Sequence, residues 1–114
     1  RVRLMKGKES TVTVNGLSAR EYFKTNERAL IAEESLKAAE LNGVYMVTAK
    51  VSGGGIAAQA DAVRMGIARA AVKENAGTRA SLKTAGFLSR DARAKERKKP
   101  GLVKARKRKQ WSKR

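Results

Sequence analysis

The chain has 114 residues, with 27 Lys or Arg against 10 Asp or Glu, a formal net charge of +17, and neither cysteine nor histidine. Without thiol or imidazole there is no disulfide, no usual zinc ligand set, no thiol nucleophile and no neutral-pH proton shuttle, so an enzyme would be confined to carboxylates, lysines and hydroxyls. The length suits one domain burying roughly 60–70% of its unfolded surface, and the lack of a long apolar run or a secretory signal pattern reads as a soluble intracellular chain.

The charge is concentrated at one end. Residues 89–114 hold thirteen of the cations against only Asp91 and Glu96, a net +11, whereas residues 1–88 hold fourteen cations and eight carboxylates, a net +6. The division predicts a globular domain over 1–88 and a basic arm over 89–114 whose charge has no internal partner and requires an external polyanion.

From the start, Val2 and Leu4 alternate with Arg1 and Arg3, Lys6-Gly7-Lys8 reads as a turn, and Val12 and Val14 alternate with Thr11 and Thr13 before Asn15-Gly16. This pattern predicts a two-stranded hairpin with a polar outer face. Ser18 with Glu21 three residues on forms a capping-box pattern for a short helical turn through Phe23. Asn26 is the expected cap of the next helix, with Leu30, Ile31, Leu36 and Leu41 supplying its apolar side up to the Asn42-Gly43 break. A strand follows in which Tyr45, Val47, Ala49 and Val51 share one face and Met46, Thr48, Lys50 and Ser52 the other.

Gly53-Gly54-Gly55 stops that strand and opens a long helix whose Ile56, Ala60, Val63, Ile67 and Ala71 recur at spacings of three and four, a stripe that packs on the sheet. Ala57, Ala58, Ala62, Gly66, Ala68 and Ala70 keep this helix thin, so that another backbone or an RNA strand can approach closely. Asn75-Ala76-Gly77 ends it. Thr78 is the expected cap of a further short helix, which Gly86 terminates in a left-handed conformation. Beyond Leu88 the apolar periodicity disappears, and Pro100-Gly101 would break any helix over residues 91–99.

Gly53, Gly55 and Ala58 fit a loose G-x-G-x-x-A dinucleotide pattern, but the acidic residue about twenty positions on is Glu74, within the same helix rather than at the tip of a second strand. No Gly-Lys-Ser or Gly-Lys-Thr supports a phosphate-binding loop. The glycine-flanked helix start can still hold a nucleic-acid phosphate, or the glycines make a tight strand-to-helix turn. Arg64, Arg69 and Lys73 give the helix a basic edge, suited to solvent or to a phosphate backbone. Glu33, Glu34 and Glu40 are the one acidic cluster and read as solvated helix charge. In the arm, Arg97-Lys98-Lys99 and Lys104-Ala105-Arg106-Lys107-Arg108-Lys109 flank Pro100-Gly101, so two basic clusters can bend independently and follow separate phosphate runs. Trp111 offers a plane for stacking on bases or arginine, or an anchor to protein.

Several of these segments together resemble the small-subunit ribosomal protein nine family, in its bacterial or organellar form. The resemblance covers nearly the whole chain and rests on Val14-Asn15-Gly16, Glu21-Tyr22-Phe23, Gly53-Gly54-Gly55 with Gln59 and Ala62, Arg64 with Gly66-Ile67-Ala68-Arg69-Ala70, Ala85-Gly86-Phe87-Leu88 with Arg90-Asp91, Glu96-Arg97-Lys98-Lys99-Pro100-Gly101, Lys104-Ala105-Arg106 and Ser112-Lys113-Arg114. It implies an α+β fold of two layers, a four-stranded sheet with helices packed on one face, plus an extended basic C-terminal arm threaded through ribosomal RNA in the head of the small subunit. Three departures are visible. The family usually carries a basic segment ahead of the first strand, where this sequence opens at Arg1-Val2-Arg3. Ala71 stands where a bulkier aliphatic is common, and Trp111 replaces a Phe or Tyr.

The resemblance further implies that Ser112, Lys113 and Arg114 approach the anticodon stem-loop of the peptidyl-site transfer RNA, with Arg114 gripping phosphate. Expected ribosomal RNA contacts are Arg90, Arg93, Arg97, Lys98, Lys99, Lys104, Arg106, Lys107, Arg108 and Lys109 in the arm, and Gly53, Gly54, Gly55, Arg64 and Arg69 in the body. The expected partners are small-subunit ribosomal RNA, peptidyl-site transfer RNA and neighbouring proteins of the small-subunit head. No catalysis, cofactor, metal, membrane or small-molecule substrate is expected. The setting is a bacterial-type cytoplasmic ribosome or an organellar one. A general nucleic-acid packaging protein, using the arm nonspecifically, is the alternative function.

Overall fold

A computed structural model describes residues 1–41 and 43–113. Its elements are β1 (Val2–Lys6), β2 (Thr11–Val14), β3 (Leu17–Ser18), α1 (Ala19–Phe23), α2 (Asn26–Ala38), β4 (Tyr45–Ala49), α3 (Ile56–Glu74), a 3-10 turn (Ala76–Thr78) and α4 (Arg79–Thr84). The strands form one four-stranded mixed sheet in the order β1-β4-β2-β3, and the helices pack on it in an α+β fold.

The expected hairpin between the first two strands does not form. β4 lies between them, antiparallel to β1, with Leu4 opposite Val47, and parallel to β2, with Val12 opposite the same Val47. The reason is burial: Tyr45, Val47 and Ala49 are the most continuously buried strand residues, so β4 gains most from apolar neighbours on both sides. The segment read as a tight turn instead passes the end of β4, and the Gly7 N–H donates to the Val44 carbonyl at 3.0 Å. The true hairpin is β2–β3, which turns at Asn15-Gly16. Both residues have positive φ, 49° and 83°, as a two-residue type I′ turn requires.

One face of the sheet is the core. Val12, Val14, Val47 and Ala49 meet Ala19 and Phe23 of α1, Ala29 and Ala32 of α2, and Ala60, Val63 and Ile67 of α3, with Val2 and Leu4 half-buried beside them. The small residues on α2 and α3 let the two helices approach closely, and Gly66 does the same for β1. A Cβ at position 66 would stand 2.6 Å from Cγ2 of Val2. The thinness expected of this helix thus serves an intramolecular contact at that point. A second cluster, Ala39, Ala68, Ala71 and Leu82 with Phe87 and Leu88 against it, ties α4 to the distal half of α3.

Local signals met mixed outcomes. Ser18 caps α1 as expected, its Oγ accepting from the Glu21 N–H at 3.3 Å. Asn26 is the first residue of α2, so the cap position falls on Thr25, whose side chain makes no capping bond. Leu30 does not face inward but is 53% exposed, because Ala29, Ala32 and Ser35 form the buried side of α2. Ile56 at the start of α3 is exposed too, while Ala60, Val63, Ile67 and Ala71 are buried as the spacing predicted. Thr78 closes the 3-10 turn and stands at the cap position of α4 as expected, but its side chain makes no capping bond there. The 3-10 turn itself is capped by Asn75, whose Oδ1 accepts from the Gly77 N–H at 3.0 Å. Gly86, at φ 84°, ends α4 in the left-handed conformation, with Phe87 N–H donating to Leu82 O and Gly86 N–H to Lys83 O, both 3.1 Å. Asn42 of the expected Asn42-Gly43 break lies outside the described residues.

Two hydrogen-bonded polar side chains tie elements together, one between two helices and one between sheet and helix. The Ser35 hydroxyl donates to the Arg64 carbonyl at 2.7 Å, locking α2 to α3. The Tyr45 hydroxyl donates to Glu74 at 3.1 Å. Burial, then the hydrogen bond and negative charge of Glu74, push the Tyr45 phenol above its ordinary range.

Candidate nucleic-acid interface

The triple glycine links β4 to α3. Gly53 and Gly54 have φ of 76° and 73°, which only glycine adopts without strain, and Gly55 occupies the helix cap position in an extended conformation. Three side chains hold this loop in place, and sequence reading gave none of them that role. Gln59 Nε2 donates to the Gly53 carbonyl at 3.0 Å, and its Oε1 accepts from the Tyr22 hydroxyl at 2.7 Å. The Asn15 side chain pairs with the Val51 backbone through two bonds of 3.0 Å, extending the β2–β4 ladder by one rung. Their signal in the sequence was that Asn15, Tyr22 and Gln59 all stand in segments that carry the family resemblance, without indicating this contact.

Along α3, at about 3.6 residues per turn, Ala58, Ala62, Arg69 and Lys73 fall on the side away from the core, and all four are exposed. Arg69 and Lys73 form no ion pair among the described residues, so the expected basic edge is present there. Arg64 is different. Its guanidinium is held by Glu34 of α2 at 3.2 Å and Asp61 at 3.1 Å, and it lies 5.3 Å from the centre of the Phe87 ring. Two carboxylates already neutralise it. Glu34 is therefore part of an interhelical clamp, and Glu33 pairs with Lys37 at 3.9 Å within α2.

Next to Arg64 a groove opens between α3 and the start of the arm, lined by Ala58, Ala62, Met65, Phe87, Ser89, Arg90 and Arg93. Phe87, which the Arg64 guanidinium faces, packs with Leu88 on the second core cluster just before the arm begins.

No helix or strand follows Leu88 among the described residues. Within the arm, Asp91 receives Arg93 through both carboxylate oxygens, at 2.8 Å from Nη2 and 3.0 Å from Nε. Hydrogen bonding by the Arg93 side chain, then by its N–H, holds the Asp91 carboxyl down at about 2 and raises the guanidinium in turn. Glu96 accepts from Lys99 and, at 3.0 Å, from Nε of Arg106. The arm's charge is thus partly met from within, contrary to the expectation of no internal partner. Three of the expected contacts, Arg93, Lys99 and Arg106, sit in ion pairs. Arg90, Lys95, Arg97, Lys98, Lys104, Lys107, Arg108, Lys109 and Lys113 have no carboxylate partner among the described residues.

Ser112 and Lys113 continue the arm in an exposed, irregular conformation after Trp111, which is 80% exposed. Arg114 lies outside the described residues. Among the described residues no helix is long and apolar enough to cross a membrane, and no cluster of carboxylates is arranged to hold a metal.

Across its entire length, residues 1–114, the chain matches the family described as ribosomal protein S9/S16. It belongs to that family. As a member of the S9/S16 family it is a protein of the small ribosomal subunit that binds ribosomal RNA, in a structural rather than a catalytic capacity. The α+β fold implied by the resemblance, a four-stranded sheet with helices packed on it, is the fold observed.

Proposed function

We propose that the chain is a structural constituent of the head of the small subunit whose arm lies along ribosomal RNA and whose last residues, Ser112, Lys113 and Arg114, contact the peptidyl-site transfer RNA during translation. The observation that carries this reading is the run of exposed arm cations with no carboxylate partner among the described residues, which two acidic residues cannot neutralise. Lysine and arginine contacts to phosphate position a protein without reading bases, so one arm can accept every transfer RNA. Arginine adds two parallel hydrogen bonds to a phosphate, which supports Arg114 as the terminal grip.

Arg90, Arg97, Lys98, Lys104, Lys107, Arg108 and Lys109 supply the main electrostatic attraction, and Arg93, Lys99 and Arg106 enter already oriented by Asp91 and Glu96. On the body, Arg69 and the N–H groups following Gly53-Gly54-Gly55 face the same RNA, while Arg64 faces Phe87 just before the arm begins. Neighbouring head proteins complete the surroundings. The setting is a bacterial-type ribosome, cytoplasmic or organellar.

Removing Ser112, Lys113 and Arg114 tests the transfer RNA role. Small subunits assembled with the shortened chain should sediment normally yet hold peptidyl-site transfer RNA more weakly in a filter-binding assay, and unchanged retention would defeat the assignment. Affinity for small-subunit ribosomal RNA should also exceed that for random duplex DNA at one salt concentration, whereas near equality would favour nonspecific packaging.

A further inference from the structure

Glu96 has the wrong sign for an arm that binds a polyanion, yet it sits between the two basic clusters and touches both. Oε1 accepts from Lys99 of the first cluster, and Oε2 accepts at 3.0 Å from Arg106 of the second. The backbone between them is folded rather than extended. Leu102 N–H donates to the Lys99 carbonyl at 3.2 Å across Pro100-Gly101, with Gly101 at φ 79°, the arrangement of a type II turn that takes proline second and glycine third. A second reversal follows at once, with Val103 N–H donating to the Lys107 carbonyl at 2.8 Å. Lys99, Leu102 and Ala105 are half-buried inside this small fold, in an arm whose other described residues beyond Leu88 are exposed.

We propose that Glu96 is a positioning residue which clips the arm into a preformed double turn and fixes the spacing of its two basic clusters for two runs of phosphate. The inference rests on the reading of the arm as an RNA ligand. Sequence alone suggested that Pro100-Gly101 lets the clusters bend independently; the geometry joins them. Like charges brought together across a short loop repel, and one carboxylate placed between them offsets that repulsion without reaching the outward-facing Lys98, Lys104, Lys107 and Arg108. Holding the bound geometry in advance removes part of the ordering cost that a cationic tail meets on binding.

This leads to a result opposite in sign to simple charge counting. Glu96→Gln raises the net charge by one, which by attraction to phosphate alone should tighten binding to RNA. Loss of the clip should instead weaken the affinity of the full-length chain for protein-free small-subunit ribosomal RNA by roughly fivefold, and Glu96→Asp should recover part of the loss. Binding by Glu96→Gln that equals or exceeds that of the parent chain overturns the proposal. A second measurement needs no RNA: nuclear Overhauser contacts between Val103 and Lys107 should be present in the free parent chain and lost in Glu96→Gln. Their absence from the parent also overturns the clip. Should those contacts be present while the parent chain ignores the RNA, the clip stands and the RNA reading of the arm fails, so the two failures are separable.

Discussion

The body and the arm use charge in opposite ways. In residues 1–88 a cation such as Arg64 is held by carboxylates from two helices and by an aromatic ring, so its charge serves to join elements. In the arm, Asp91 and Glu96 each organise nearby cations, while most of its cations have no carboxylate partner among the described residues. Apolar burial separates the two regions as sharply. Phe23, Ile67, Leu82, Val14, Val47 and Val63 are fully buried in the body, whereas among the described residues beyond Leu88 no side chain is fully buried. The body therefore owes its structure to packing, and the arm owes its structure to turns and local ion pairs that a polyanion can complete.

That contrast breaks down if core substitutions and arm substitutions have the same consequences. The largest stability effect should come from Phe23→Ala, which removes a fully buried ring and should cost about 3–5 kcal/mol in urea unfolding. A comparable effect of opposite kind should follow from replacing Lys104, Arg106, Lys107, Arg108 and Lys109 together by glutamine. Affinity for ribosomal RNA should fall by roughly 100-fold near 0.1 M salt, with the unfolding midpoint unchanged.

Smaller substitutions sharpen the picture of the body. Gly66→Ala pushes a methyl against Val2. Overpacking should outweigh the gain in helix propensity and leave a net loss of about 1 kcal/mol. Ser35→Ala removes the bond that links α2 to the Arg64 carbonyl and should cost about 1 kcal/mol in the same assay. The smallest effect belongs to the arm. Asp91 titrates at about 2 rather than the ordinary 3.8 because Arg93 bonds its charged form, so the pair is fully formed above pH 4 and is lost as pH falls through about 2. Carboxyl NMR titration should show this, and Arg93→Gln should return Asp91 to the ordinary range. Global stability should stay the same, since both side chains are well exposed.

The sequence exposed some of these features more readily than others. Signals that act within one turn of chain were legible: the Ser18 cap, the positive φ at Gly86, the alternation of β4 and the stripe of α3 each depend on neighbours a few residues away. The strand order was not, because β2 and β4 pair in parallel across α1 and α2, and no local pattern distinguishes that from a hairpin between β1 and β2. The inward side of α2 was misread for a related reason. Leucine marks a helix face only when the facing surface has room, and here α3 approaches so closely that alanines and Ser35 fill the contact while Leu30 turns outward. Among the candidate contacts, the arm's basicity was plain from composition. The Glu34–Arg64 pair, 30 residues apart in sequence, and the Glu96–Arg106 pair needed the folded backbone.

The most direct test of the arm as the RNA-binding region is the salt dependence of binding to small-subunit ribosomal RNA. If about eight arm side chains neutralise phosphates, the logarithm of the binding constant should fall with the logarithm of salt concentration with a slope of roughly −5 to −6, and the five-glutamine variant should lose about half of that slope. A slope near zero, or an undiminished slope in that variant, would contradict the account.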